Sequence, residues 1–313
     1  MSNLEFNNSA IRLGSRRSDL ALWQSRHIEK LLNEAYPGLA TSIKPFVTQG
    51  DKNLTTPLKA IGGKGLFTAE LEEALRDRDI DAAVHSLKDL PVEMPDGLTL
   101  GAIPPRANPA DVLVSRQGFT LESLPKGAAV GTSSPRRTAQ ILAIRPDVNI
   151  IDIRGNIPTR IRKALTENSA FDAIVLAHAG LARLGRLDVV SQVLEFDQML
   201  PAPGQGALAV QCRDEDSSKK LFSPLDEADT RAAVTAERSF LFDLGGGCGL
   251  PISAYAAVAG QRLLIHGKVS STDGTKKIDV NSSGPLAEAW QLGQELAHKA
   301  LADGAEALLE ERD

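Results

Sequence analysis

The chain has 313 residues, 42% of them hydrophobic and 24% charged, which leaves room for more than one core and excludes a disordered chain. A net charge of −5 and an aromatic content of 4% argue against a nucleic-acid binder, and two cysteines exclude a disulfide framework. No apolar run approaches the length of a membrane span, and residues 1–8 hold neither a basic nor an apolar signal region, so a cytoplasmic protein is expected.

Residues 11–15 read as a strand. Ser18 then offers an N-cap, and Leu20, Trp23, Ile28, Leu31 and Leu32 recur at helical spacing until Tyr36-Pro37-Gly38 stops them. A strand over 41–48, a glycine-rich turn at Gly62-Gly63-Lys64-Gly65, a helix over 67–76 and a buried strand over 80–85 follow, an order that predicts an α/β layer. Prolines at 104, 105 and 109 interrupt it. The pattern restarts with strands over 128–131, 148–153 and 173–177 and helices over 135–144 and 158–166. Pro201-Ala202-Pro203-Gly204-Gln205-Gly206 breaks it again before a strand over 207–211. A helix over 226–244 ended by Gly245-Gly246-Gly247, three strands (252–258, 262–269, 276–280) with an Asp273-Gly274 turn, and a helix over 285–302 predict a small α+β domain.

Three strand-to-helix junctions carry arginines: Arg16 and Arg17 before Ser18, Arg136 and Arg137 after Thr132-Ser133-Ser134-Pro135, and Arg154 and Arg160 around Gly155-Asn156. Strand ends and helix N-termini present free N–H groups to anions, and guanidinium forks match carboxylate or phosphate. The bland alternative is that each arginine is solvated or paired with a surface acid. Cations at helix starts oppose the macrodipole, however, so three such junctions in an acidic chain point to an anionic ligand. Asp89, in His85-Ser86-Leu87-Lys88-Asp89, follows a strand and is either an ion-pair partner of Lys88 or a carboxylate facing a ligand that becomes cationic. Cys248, among glycines, is either a small turn residue or a substituted thiol, whereas Cys212 at a strand end reads as structural. The histidines show no metal-ligand spacing, so no metal is expected.

In order along the chain, Leu20-Ala21-Leu22-Trp23-Gln24, Gly62-Gly63-Lys64-Gly65-Leu66-Phe67, His85-Ser86-Leu87-Lys88-Asp89-Leu90-Pro91, Gly131-Thr132-Ser133-Ser134, Arg154-Gly155-Asn156, Thr235-Ala236-Glu237-Arg238 and Gly246-Gly247-Cys248 resemble the porphobilinogen deaminases. The resemblance runs from about residue 11 to 302. It implies two periplasmic-binding-protein-like α/β domains plus a small C-terminal α+β domain with an antiparallel three-stranded sheet. The boundaries expected are 1–104 with 205–222, then 105–204, then 223–313. It also implies a covalent dipyrromethane cofactor on Cys248 through a thioether, and Asp89 as the carboxylate serving each condensation of porphobilinogen. Lys88, Ser134, Arg136, Arg137, Arg154, Ser86, Thr132 and Gly155 would hold the cofactor. Arg16, Ser18, Gln24, Lys64, Phe67, Arg160 and Arg183 would hold the substrate. The acetate and propionate on each pyrrole would account for so many arginines in an acidic chain. A monomer without nucleic-acid or membrane partners is expected.

The chain departs from the family pattern at Asp19, at Ala60 with Lys59 one place earlier, and at Gly249-Leu250 after the cysteine. Three rivals stand beside this reading: a two-lobed anion-binding module related to periplasmic binding proteins, a phosphate-transfer enzyme, and a thiol hydrolase. The first lacks a reason for the Gly-Gly-Cys loop. The second lacks a complete Walker or dinucleotide motif. The third has nothing that brings Cys248 and His85 together.

Overall fold

A computed structural model of the chain describes residues 10–52, 68–246 and 249–310. The chain divides into two compact units, Met1–Pro105 with Leu208–Glu227, and Arg106–Ala207 with Ala228–Asp313. Strands are numbered in chain order.

The first unit is built on a five-stranded sheet. Its strands are β1 (Ile11–Arg16), β2 (Thr41–Phe46), β3 (Ala82–Ser86), β4 (Leu98–Ala102) and β10 (Leu208–Arg213), in the order β2-β1-β3-β10-β4. β1 runs parallel to both β2 and β3, and β10 runs antiparallel to β3 and β4. The helix Asp19–Ala35 forms because Ser18 accepts a hydrogen bond from the Ala21 N–H and because one face is apolar. That face buries Ile28 and Leu32 against Leu13 and Val84. Each fully buried aliphatic side chain contributes roughly 1.5–3 kcal/mol of transfer free energy. On the other face of the sheet, Leu71 and Leu75 of helix Ala69–Arg76 close over Ile80 and Ala83.

The second unit holds two sheets. In the first, β5 (Asp111–Val114), β6 (Ala129–Gly131), β7 (Asn149–Ile151), β8 (Ala173–Ala177) and β9 (Gln192–Leu194) lie in the order β7-β6-β8-β5-β9. β6 is parallel to β7 and β8, and β5 is antiparallel to β8 and β9. The two five-stranded sheets thus share one plan, with the reversed strand fourth in the order. In one unit that strand is the last to be made; in the other it is the first. Helices Pro135–Ile144 and Ile157–Leu165 follow β6 and β7.

The second sheet of this unit is antiparallel, β11 (Ile252–Ala259), β12 (Arg262–Ser270) and β13 (Lys277–Pro285) in sequential order. Helices Ala228–Asp243 and Ala289–Ala302 cover it, burying Phe240 and Leu296 in its core. This architecture, two mixed α/β sheets and a three-stranded antiparallel one, agrees with the expected fold class. The structure differs in detail: β13 continues to Pro285, and a short 3-10 turn, Leu286–Glu288, precedes the last long helix. Strands β4, β5 and β9 were not legible locally, since each is short and gains its partners from distant sequence.

Candidate active site

β1 and β3 are parallel neighbours, so their carboxyl ends share one sheet edge. Arg16 ends β1, and Ser18 caps the helix that follows. Ser86 ends β3, and the 3-10 turn Leu87–Asp89 leads on. Local order thereby converges residues 70 positions apart on one small cleft, lined among others by Arg16, Ser18, Gln24, Thr68, Ser86 and Asp89. Gln24 is buried and donates its Nε2–H to Ser86 Oγ at 2.8 Å, so it fixes that hydroxyl from beneath. Asp89 is exposed, and among the described residues no hydrogen bond or ion pair engages its carboxylate. The ion pair with Lys88 entertained from sequence is not formed.

His85 also lines this cleft. Its Nε2 lies 3.1 Å from Gln211 Oε1, and burial pushes the imidazole down to about 4, which keeps it neutral near pH 7. The ring is thus a neutral, hydrogen-bonded side chain near the end of β3. Thr68, at the start of helix Ala69–Arg76, escaped the sequence reading because nothing in its local pattern points toward the cleft.

In the second unit β6, β7 and β8 run parallel, and three helix starts gather at their carboxyl edge. After β6, Thr132 is buried, and its Oγ1 accepts from the Ser134 N–H at 3.2 Å. Ser134 caps helix Pro135–Ile144 without spending its hydroxyl on that cap. After β7, Gly155 takes φ +116°, a conformation that favours glycine, and Asn156 caps the next helix by accepting from the Thr159 N–H at 3.0 Å. Arg154 lies 3.7 Å from Asp152, and Arg160 Nε donates to the Gly155 carbonyl at 2.7 Å. After β8, Arg183 donates to the Gly206 carbonyl at 2.7 Å, and desolvation lowers its guanidinium to about 10.

Arg136 and Arg137 are placed differently from solvent-facing clamps. Both are buried, and both are satisfied first by a protein carboxylate. Asp111 accepts from Arg136 at 2.7 Å and from Arg137 at 2.7 and 3.1 Å, while Arg136 also donates to the Leu200 carbonyl and Arg137 to that of Val175. Two guanidiniums share one carboxylate, which leaves this knot with a residual positive charge. That surplus, the uncommitted Ser134 hydroxyl and the desolvated Arg183 form a donor set whose chemistry fits a ligand bearing several carboxylates.

Helix Ala228–Asp243 ends in a Schellman turn. Gly246 N–H reaches the Leu241 carbonyl and Gly245 N–H that of Phe242, with Gly245 at φ +72°. A Cβ on Gly246 would overlap the Leu241 carbonyl oxygen, so glycine is required by space as well. Cys248, two residues on, lies outside the described residues, as do Lys64 and Phe67. Cys212 is fully buried in β10, and burial pushes its thiol up to about 11, as suits a structural residue. Among the described residues no cluster of metal-ligating side chains occurs.

An exposed carboxylate at one α/β sheet edge and a cationic donor set at another are side chains suited to an α/β enzyme that handles a polycarboxylate. Residues 11–220 match the family described as "Porphobilinogen deaminase, dipyromethane cofactor binding domain", and residues 231–302 match "Porphobilinogen deaminase, C-terminal domain". A porphobilinogen deaminase from Syntrophotalea carbinolica is 48% identical over 303 residues, covering 96% of each chain. One from Geobacter metallireducens is 48% identical over 302 residues, covering 96% of this chain and 94% of that one. The chain belongs to the porphobilinogen deaminase family. Among solved structures, a nutrient binding protein from Burkholderia cenocepacia bound to methionine gives a TM-score of 0.43 at 13% identity, over 69% of this chain and 90% of that chain. The ligand-binding component of an ABC-type import system from Staphylococcus aureus gives 0.39 at 14% identity, over 75% of each chain.

Proposed function

We propose that Asp89 carries the chemistry of the family's reaction in this chain, the head-to-tail condensation of four porphobilinogen molecules with loss of ammonia, followed by hydrolytic release of hydroxymethylbilane. The carrying observation is the Asp89 carboxylate itself, exposed on a cleft that also presents Arg16 and Ser18. The activity is that of a hydroxymethylbilane synthase, a transferase of tetrapyrrole synthesis.

The Asp89 carboxylate pairs with the ammonium of the porphobilinogen aminomethyl group until it departs as ammonia, stabilises the positive charge that then spreads over the pyrrole, and takes up the α-carbon proton after coupling. Arg16 and Ser18 hold side-chain carboxylates, and Gln24 keeps Ser86 oriented toward the cleft. Dipyrromethane, when bound, supplies the first nucleophilic pyrrole carbon. Cys248 would bear it through a thioether. Thr132, Ser134, Arg136, Arg137, Arg154 and Gly155, with Ser86 and Lys88, would hold its carboxylates, and Arg160 and Arg183 would hold those of the substrate. Lys64 and Phe67, which lie outside the described residues, would contact the substrate.

The division into three domains (1–104 with 205–222, 105–204, and 223–313) is supported by the separate cores of the three sheets. A cytoplasmic monomer completes the reading, and no described helix is long and apolar enough to cross a membrane. The deciding experiment is Asp89→Asn. Turnover of porphobilinogen should fall about a hundredfold to ten-thousandfold, the range for a lost acid–base group, with circular dichroism unchanged. Near-normal product formation would remove Asp89 from the chemistry.

A further inference from the structure

Thr68 is 2% exposed, lines the cleft that carries Asp89, and has an Oγ1 with no hydrogen-bond partner among the described residues. A threonine preceding a helix ordinarily spends its hydroxyl on an N–H of the first turn. Thr68 does not: it makes no side-chain cap bond, and its backbone carbonyl alone receives the Leu71 and Glu72 N–H groups. A buried hydroxyl without a partner carries its full desolvation penalty, which a valine of the same shape would avoid. Ser25 is equally unpartnered but does not line the cleft, so Thr68 alone joins the two properties among the described residues.

We propose that Thr68 is a substrate-binding residue whose Oγ1–H donates to the pyrrole side-chain carboxylate that Arg16 neutralises. A carboxylate is the apt partner, since the cationic aminomethyl group of the substrate has the Asp89 carboxylate to meet it. Neither acid of the first turn is among the cleft's lining residues: Glu70 Oε1 accepts from the Gln49 N–H at 2.8 Å while its Oε2 is buried without a partner among the described residues, and Glu72 Oε1 lies 3.5 Å from Gln211 Nε2. The helix start thus adds a hydroxyl donor to a cleft whose cation is Arg16. This assignment rests on the reading of the Asp89 cleft as the reaction site.

The test compares Thr68→Val with Thr68→Ser in the holoenzyme, by steady-state kinetics on porphobilinogen and by thermal unfolding. Thr68→Val should raise KM about tenfold to a hundredfold, the scale of a hydrogen bond to a charged group, at an unchanged or higher melting temperature. Thr68→Ser should stay close to wild type. A porphobilinogen analogue with one carboxylate converted to its amide should be rejected by wild type more strongly than by Thr68→Val. Unchanged KM, equal discrimination by the two enzymes, or a lowered melting temperature with KM intact would overturn the assignment. Where Thr68→Val does not fold, Thr68→Ala carries the same comparison. Asp89→Asn separates the two levels of the reading. If it turns over normally, the cleft is not the reaction site; if it is inactive while Thr68→Val behaves as wild type, only the role of Thr68 is lost.

Discussion

Glu237 receives both terminal nitrogens of Arg106, at 2.6 and 3.0 Å, with no exposure of its own side chain. The same carboxylate accepts the Gly204 N–H at 2.7 Å and the Ala256 N–H at 2.8 Å. One buried charge on helix Ala228–Asp243 therefore holds the 201–206 segment, the start of the second unit and the first strand of the antiparallel sheet.

Replacing Glu237 by alanine takes the carboxylate from both terminal nitrogens of Arg106, whose Nε keeps the Gln205 carbonyl, and leaves two backbone donors unmatched inside the protein. Breaking a buried pair in this way costs about 3–5 kcal/mol, and urea unfolding of Glu237→Ala should register a loss of that size. A loss under about 1 kcal/mol, the scale of an exposed pair, would show that solvent reaches the site.

The parts of this fold that were legible in the sequence are those whose signals are local. The helix Pro135–Ile144 was bounded correctly from Ser134 and Pro135 at its start, and Asp19–Ala35 from Ser18 and the Tyr36-Pro37-Gly38 stop. The turn at Asp273-Gly274 was likewise read from its residue types, and Gly274 takes φ +74° there. What was not legible depends on partners far along the chain. β5 is four residues long, and β10 returns to the first unit only after the whole of the second α/β sheet has been made. Arg136 and Arg137 announce an anion, yet nothing near them reveals that Asp111, more than 20 residues earlier, is the first anion they meet. Of the cleft residues, Arg16 and Ser18 are legible from a strand-to-helix junction, Asp89 from its place after a strand, and Ser86 from the family resemblance. The lateral neighbourhood of β1 and β3 is what places them together. Thr68 belongs to no such junction motif, and its burial is a tertiary property.

The arginines of the second unit separate into two kinds, and mutation should separate them too. Arg154 keeps 22% of its side chain exposed, and its ion pair with a mostly exposed Asp152 spans 3.7 Å. Arg154→Leu should lower cofactor loading and turnover while leaving the urea midpoint nearly unmoved. Arg136 keeps 5% and is bonded to Asp111 and Leu200. Arg136→Leu should lower both loading and stability, the latter by less than the ~3–5 kcal/mol of an unshared buried pair, because Arg137 and Gln205 remain on Asp111. Wild-type loading in both variants would remove the second unit from carboxylate binding.

The two cysteines should behave as opposites. Cys212 is sealed in β10, and its thiol, pushed up to about 11, offers almost no thiolate near neutral pH. Iodoacetamide should leave it unlabelled until the protein is unfolded, and Cys212→Ala should keep the mass excess of two linked pyrrole units in the purified protein. Cys248→Ser should abolish that excess. Intact-protein mass spectrometry reads both, and an excess that survives Cys248→Ser would place the cofactor on another residue.

His85 should govern part of the acid sensitivity. Burial, the dominant cause, and the nearby Arg16 charge lower its imidazole from the ordinary 6.5 to about 4, against the opposing hydrogen bond with Gln211. Between these values the unfolded chain binds a proton that the folded chain refuses, so stability rises with pH across that window. The contribution is complete above pH 6.5 and is lost as the pH falls toward 4, on the order of 3 kcal/mol in all. Urea unfolding of wild type and His85→Gln at pH values from 7 down to 4 should give a shallower decline in the variant, because glutamine does not titrate. Parallel declines would mean that the ring is already solvated in the folded protein. Above pH 6.5 the ring is neutral in both folded and unfolded chains, so the pH profile of turnover should keep its shape there in His85→Gln, whatever happens to its height.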